Sequence, residues 1–119
     1  SKRIKFLNKS FNNIFGKKFD LIVSNPPYID SKDIKNLSDD IKRYEPRIAL
    51  DGGNDGLDLI KKVIYKSKHI LKINGMLALE IGNGQFKKVS NILKSNKFKI
   101  KYLINDYREN IRCVIAILK

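Results

Sequence analysis

The sequence predicts an α/β fold, a mainly parallel sheet wound with helices and ending in an antiparallel pair of strands. Three observations predict it. The continuous apolar run "FDLIV" at 19–23 is of the type found where both faces of a sheet are covered. Leu57, Ile60, Val63, Ile64, Ile70 and Leu71 form one helical stripe between that run and a second one, "MLALEI", which is the pattern of a parallel βαβ unit. Finally, "FKIKYLI" and "RCVIAIL" follow each other with no helical pattern between them, as in a hairpin.

In chain order, Ile4 to Leu7 reads as a short strand and Phe19 to Ser24 as a stronger one. Between Asp30 and Tyr44, Ile34, Leu37 and Ile41 recur at helical spacing. Asp30 and Asp33 stand where a capping pair would, so a short amphipathic helix is expected. "EPRIALDGGNDG" is a loop by its Gly, Asn, Asp and Pro content. The long stripe that follows opens with acidic Asp55 and Asp58 and is expected to close at Asn74-Gly75. "MLALEI" is then a strand. A helix through Phe86, Val89 and Leu93 is expected to start from Asn83, and the two terminal strands complete the order. No internal repeat, linker or second domain is visible.

Composition bounds the function. The chain has 119 residues, 42% of them apolar and 31% charged, which fits one globular domain. No apolar run approaches the roughly 20 residues of a membrane span, and "SKRIKFLNKS" lacks the apolar core of a secretory signal, so a cytoplasmic protein is expected. The single cysteine, Cys113, lies in an apolar run without metal-ligand companions and is expected to be a buried structural thiol. A net charge of +13 suits a nucleic-acid binder. Arginine, the better phosphate fork, occurs only at Arg3, Arg43, Arg47, Arg108 and Arg112, however, and the chain is rich in Ile and Asn. Codon bias toward Lys, Asn and Ile explains that composition, so direct nucleic-acid binding is not expected as the main role, although the ribosome and its factors remain partners that suit a basic surface.

The informative stretch is "NPPY", which follows "FDLIVS" at the carboxyl end of a central strand, where ligands sit in such sheets. Residues preceding proline are pushed toward extended geometry and proline offers no N–H, so Asn25-Pro26-Pro27 is a stiff segment whose polar groups are mainly acceptors. A planar NH₂ group, whether a side-chain amide or the exocyclic amine of a base, carries two donors and a lone pair delocalised into its π-system. The Asn25 side-chain oxygen and the Pro26 carbonyl can hold both hydrogens and aim the nitrogen, while Tyr28 stacks on the flat group. Orientation and fixed dipoles then lower the barrier without a strong base, and the motif contains none. A rigid loop after a strand is the bland alternative.

With "FDLIVSNPPYI", "YEPRIALDGGNDGLDLI", "LEIGNGQ" and "DYRENIRCV" in this order, the chain resembles the N5-glutamine methyltransferases, and among them the release-factor glutamine methyltransferase (HemK/PrmC) family. The resemblance implies a Rossmann-like class I methyltransferase sheet. It also implies transfer of a methyl group from S-adenosylmethionine to the side-chain amide of the glutamine in the Gly-Gly-Gln motif of peptide-chain release factors. Asn25, Pro26, Pro27 and Tyr28 would hold that glutamine, with Asn25, Pro26 and Tyr28 the catalytic set. Asn25 would also lie beside the cofactor, and Phe11 corresponds to an aromatic bordering the adenine. Ser10 stands where relatives often carry an acidic residue that bonds the adenine.

Nothing in the chain resembles the family's glycine-rich cofactor turn, its ribose-binding acid or its N-terminal recognition domain. Residues 1–119 are therefore expected to be the C-terminal portion of a catalytic domain. Of a sheet ordered 3-2-1-4-5-7-6, they would supply strands 3, 4, 5, 7 and 6. "IGNG" reads as a tight turn and helix cap rather than a cofactor cradle. Glu45 and Glu80 read as loop anchors or cofactor-side hydrogen-bonding groups, and no metal site is expected. His69, among lysines near a helix end, has no assigned role. Three alternatives remain: the sister enzyme acting on a ribosomal-protein glutamine, a base amino-methyltransferase such as one acting on adenine N6, and a basic RNA-binding module without catalysis.

Overall fold

The computed structural model describes residues 3–119. Its main sheet is built from β1 (Phe19–Ser24), β4 (Leu71–Glu80), β5 (Phe98–Asn105) and β6 (Ile111–Leu118). The spatial order is β1-β4-β6-β5. β1 runs parallel to β4, while β6 lies antiparallel to both β4 and β5. This is the arrangement expected of strands 4, 5, 7 and 6.

The parallel pair is joined through α2 (Asp58–Ile70), and α3 (Phe86–Ser95) connects β4 to β5. Both helices pack on one face of the sheet, where Ile60 and Ile64 of α2 and Val89 and Leu93 of α3 meet Leu77, Leu79, Val114, Ala116, Leu118 and Phe98. Because side chains alternate along a strand, the neighbouring residues point to the opposite face. Among the described residues that face carries Leu21 (51% exposed), Val23 (73%), Tyr102 (56%) and Ile104 (51%). Cys113 is on it too, half-buried rather than buried, its thiol pushed above the ordinary 9.0 by burial and by the nearby Glu80 carboxylate.

Several expectations are corrected. Ile4 to Leu7 forms no strand; it has no sheet partner among the described residues, and Ile4, Phe6 and Leu7 are exposed. A strand makes its hydrogen bonds to a neighbour, so apolar alternation alone cannot sustain one. The helix expected between Asp30 and Tyr44 is broken in two: a 3-10 segment at Ser31–Asn36 and α1 at Asp39–Tyr44. Leu37 is extended, and the Ser38 side chain accepts from the Ile41 N–H, opening a new helix as an N-cap does. "DGG" is not pure loop, since β3 (Asp51–Gly53) pairs in parallel with β2 (Ile29–Asp30).

Two helix boundaries also move. α2 ends at Ile70 rather than at Asn74-Gly75, and its last carbonyls are met by the Lys17 ammonium, 3.0 Å from Lys68 O and 3.2 Å from Leu71 O. A cation there suits both the orphan carbonyls and the helix dipole. Asn74-Gly75 instead turns within β4, with Asn74 at φ 67°. Phe19 pairs with Leu71 while Leu21 already pairs with Met76. α3 begins at Phe86 after Gln85, not from a cap at Asn83.

Candidate active site

Asn25-Pro26-Pro27-Tyr28 leaves the carboxyl end of β1, with Asn25 exposed, Pro26 buried, and Pro27 and Tyr28 half-buried. These four residues, with Ile29, Ile41, Glu45, Ala49 and Leu50, line a cavity of about 500 Å³. The structure thus brings all four residues of the motif to one concavity and adds Glu45 at its rim. Tyr28 and Ile29 also line a second, more polar cavity of about 380 Å³ with Asp30, Asp55, Gly82 and Lys88, so both residues border the two cavities.

The segment is held by close backbone packing. A Cβ added to Gly52 would lie 2.7 Å from the Tyr28 Cα and 2.8 Å from the Pro27 carbonyl oxygen. One added to Gly56 would collide with the Tyr28 carbonyl oxygen, and one added to Gly82 would lie 2.9 Å from Tyr28 Cδ2. Gly52, Gly56 and Gly82 are therefore packing positions around the motif, which gives a physical reason for these glycines of "DGGNDG" and "IGNG". Asp51 folds the first of these loops: it accepts from the Ser31 hydroxyl, from Gly53 N (2.9 Å) and from Arg47 Nε (2.9 Å). The Ser31 bond foremost, then those of Gly53 and Arg47, hold its carboxyl below the ordinary 3.8.

Gln85 ties three segments together. Its Oε1 accepts from Gly82 N at 2.7 Å, and its Nε2 donates to the Tyr28 carbonyl at 2.9 Å, with the Asp55 and Gly56 carbonyls at 3.3 and 3.4 Å. At the other end of Tyr28, Arg112 Nη2 donates to the phenolic oxygen at 2.9 Å and Glu80 Oε1 stands 3.3 Å away. With one lone pair taken by the guanidinium, the hydroxyl directs its proton to the carboxylate. Glu80 thus accepts a hydrogen bond from the Tyr28 hydroxyl at the end of the motif.

Arg112 in turn lies 3.9 Å from Asp106, which organises the β5–β6 connection by accepting from Asn110 N (3.0 Å) and Arg108 N (2.8 Å). The Asn110 bond is the largest cause of an Asp106 carboxyl held below 3.8, with burial opposing it and Arg108 and Arg112 assisting. Arg112 Nε is buried with no partner among the described residues.

Ser10 and Phe11 are elsewhere. Ser10 caps the 3-10 turn Phe11–Asn13, and the Asn12 carbonyl accepts from Lys66 of α2. Neither residue lines the cavity that holds Asn25. His69 Nδ1 lies 2.8 Å from the Tyr65 carbonyl one turn back, a local contact outside the site. Among the described residues no cluster of acids, His and Cys could hold a metal, and no helix is long and apolar enough to cross a membrane.

Sequence reasoning missed Gln85 and Arg112. Gln85 closes a loop whose glycines attracted attention first. For Arg112 the available signal was a single guanidinium inside the otherwise apolar run "IRCVIAIL".

Comparisons with known proteins give the family of the chain. Residues 1–112 match the family model described as Eco57I restriction-modification methylase. The release factor glutamine methyltransferase of Clostridium acetobutylicum is 46% identical over 102 residues, covering 86% of this chain and 36% of the relative. That of Fusobacterium nucleatum is 44% identical, covering 94% of this chain and 35% of the relative. The ribosomal protein uL3 glutamine methyltransferase of Francisella tularensis is 47% identical over 64% of this chain and 24% of its own length. The chain thus spans about a third of the length of the release-factor relatives. In fold it is similar to a protein of Thermus thermophilus provisionally assigned as a DNA modification methylase, with a TM-score of 0.60 at 16% identity over 91% of this chain and 49% of that one. By the family model that matches it and the relatives it aligns with, the chain belongs to the methylase family that includes the release factor glutamine methyltransferases.

Proposed function

We propose that residues 1–119 are the C-terminal portion of the catalytic domain of an S-adenosylmethionine-dependent enzyme. This enzyme methylates the side-chain amide nitrogen of the glutamine in the Gly-Gly-Gln motif of release factors, in the cytoplasm. The observation that carries the reading is the Asn25–Tyr28 segment, held rigid at the carboxyl end of β1 and lining the cavity of about 500 Å³. The relatives named as release factor glutamine methyltransferases support the choice of acceptor.

In this reading, the Asn25 side-chain oxygen and the Pro26 carbonyl accept the two hydrogens of the substrate amide. The nitrogen is thereby aimed, and the positive charge developing on it faces fixed dipoles. Tyr28, its hydroxyl already engaged by Arg112 and Glu80, offers its ring as a flat wall and does not act as an acid or base. Pro27 stiffens the turn.

S-adenosylmethionine, when bound, supplies an electrophilic methyl group. The residues present fit one side of it only: Asn25 is exposed at the strand end, and Ser10 and Phe11 are the adenine contacts that the resemblance implies. Gly52, Gly56 and Gly82 are packed against the motif itself.

The family model's description favours one second reading, a base amino-methyltransferase, because an exocyclic amine presents the same planar NH₂ to the same acceptors. A competition assay separates the two. The complete enzyme and labelled S-adenosylmethionine are given a release factor, a ribosomal protein carrying a methylatable glutamine, DNA and RNA together. Label on the Gly-Gly-Gln glutamine is the expected result. Label on the ribosomal protein would move the acceptor to that partner, and label on nucleic acid would overturn glutamine methylation.

A further inference from the structure

Arg112 reaches the candidate site from β6, two strands away from β1 in the sheet. Its geometry is specific. Nη2 donates to the Tyr28 hydroxyl at 2.9 Å, Nη1 faces Asp106 at 3.9 Å, and Nε is buried without a partner among the described residues. A surface arginine placed only for solubility would turn all its donors to water. This one instead leaves one donor unmet and commits another to the tip of a single side chain. The guanidinium carbon is 5.7 Å from the Tyr28 ring centroid, at the outer limit of a cation–π contact, so the hydroxyl bond is the main link.

Tyr28 lines both cavities; its carbonyl accepts from Gln85, Gly52 and Gly56 pack against its main chain, and Gly82 and the hydrophobic core pack against its ring. Among the described residues, Arg112 and Glu80 are what hold the ring at its hydroxyl end. We infer that Arg112 is a positioning residue for amide methylation: by holding the Tyr28 hydroxyl it sets the ring as a fixed wall for the substrate amide, and it never touches substrate. Asp106, anchored in the β5–β6 connection, holds the guanidinium from behind. The inference rests on the proposed glutamine methylation for its kinetic part and on the structure alone for the contact.

The test uses the complete enzyme as wild type, Arg112→Lys, Tyr28→Phe and the double variant, with a Gly-Gly-Gln-bearing release factor as acceptor. Lysine keeps the charge but gathers its donors on one nitrogen and lacks the rigid fork whose Nη2 and Nη1 face Tyr28 and Asp106 separately. Arg112→Lys is expected to lower kcat on the order of tenfold to a hundredfold, with KM little changed and thermal unfolding still cooperative. Tyr28→Phe, which also gives up the bond to Glu80, should lose at least that factor, and the double variant no more than Tyr28→Phe alone, because the Arg112–Tyr28 bond is already gone. Wild-type kcat in Arg112→Lys, or losses that multiply in the double variant, would overturn the inference.

A second readout needs no turnover. In protein labelled with ¹³C at tyrosine Cζ, the Tyr28 resonance, identified by its loss in Tyr28→Phe, should move in Arg112→Lys; an unmoved resonance overturns the contact. If the wild-type enzyme methylates no glutamine, the proposed function falls, and the Arg112 inference stands or falls on that resonance.

Discussion

Gly56 and the carbonyl of Tyr28 occupy space that no other residue at position 56 could share. A Cβ there would collide with the Tyr28 oxygen, and Gly56 holds φ at +68° besides. The substitution Gly56→Ala therefore strains the backbone and pushes on the motif at once. In the complete enzyme it should lower stability by about 1–3 kcal/mol in urea melts and reduce methyl transfer further than that loss explains. Wild-type behaviour in both measurements would show that the packing of the loop against Tyr28 is not tight.

Asn25 sets the opposite case. Its side chain is exposed at a loop end, so Asn25→Ala should leave the melting curve nearly unchanged. Turnover should nevertheless collapse, since a substrate N–H loses its acceptor at a cost of about 1–3 kcal/mol, and the aim of the nitrogen is lost too. Near-normal transfer to a release factor by a folded Asn25→Ala enzyme would remove Asn25 from the amide clamp.

Gln85→Glu reverses a donor in place. The carboxylate would face the carbonyls of Tyr28, Asp55 and Gly56, which now receive the amide hydrogens. Stability should fall by about 1–3 kcal/mol near neutral pH and recover partly in acid, where the introduced carboxyl is protonated and can donate again. Comparing melts of the variant and the wild type across pH checks both parts; a pH-independent difference would argue against the donor role.

Acid sensitivity should come from Asp51 and Asp106. Both carboxyls are held below 3.8 in the folded chain, Asp51 chiefly by the Ser31 hydroxyl and Asp106 chiefly by the Asn110 amide. A lowered folded value means that the unfolded chain takes up protons first, so their stabilisation is complete above 3.8 and drains away as pH falls through the lowered values. Asp51→Asn and Asp106→Asn should each be less stable at neutral pH and lose less on acidification below about pH 4. Parallel acid titrations of unfolding measure this directly, and an unchanged acid slope in both variants would refute it.

The 119-residue chain expressed by itself should associate. Among the described residues β1 is an edge strand with one open side, and Leu21, Val23, Tyr102 and Ile104 expose an apolar sheet face. Open edges and contiguous apolar surface both favour self-association. Dye binding to exposed apolar surface, weak affinity for S-adenosylmethionine and concentration-dependent sedimentation are expected. A monodisperse monomer that binds the cofactor at micromolar affinity would contradict all three.

The parts of this fold that were legible in the sequence are those whose signal is local and repeated. The stripe from Leu57 to Ile70 is a helix because its period is 3.6, and "FDLIV", "MLALEI" and "RCVIAIL" are strands because sustained apolar runs bury well in a sheet. Ile4 to Leu7 has a similar short pattern but no neighbour among the described residues, and pairing is a property of two segments, not one. The break at Leu37-Ser38 was hidden because the apolar spacing of Ile34, Leu37 and Ile41 continues through it while the cap interrupts it. For the site, Asn25 to Tyr28 stand out by composition, and the structure places them together on a cavity. Gln85 and Arg112 meet Tyr28 across 57 and 84 residues of chain, a separation at which local pattern carries no information.

The strand order carries a consequence for how the molecule is made. β6 lies between β4 and β5, yet it is synthesised after both, and β5 has no other sheet neighbour among the described residues. During translation β4 must therefore wait with one side unpaired until the ribosome has delivered a segment that slots between two existing strands. Arg112 travels on that late segment. Tyr28 consequently acquires its guanidinium partner only when the sheet closes, so the wall of the candidate site would be completed among the last features of this chain, and a nascent chain stalled before residue 111 would carry the motif with Glu80 but without Arg112.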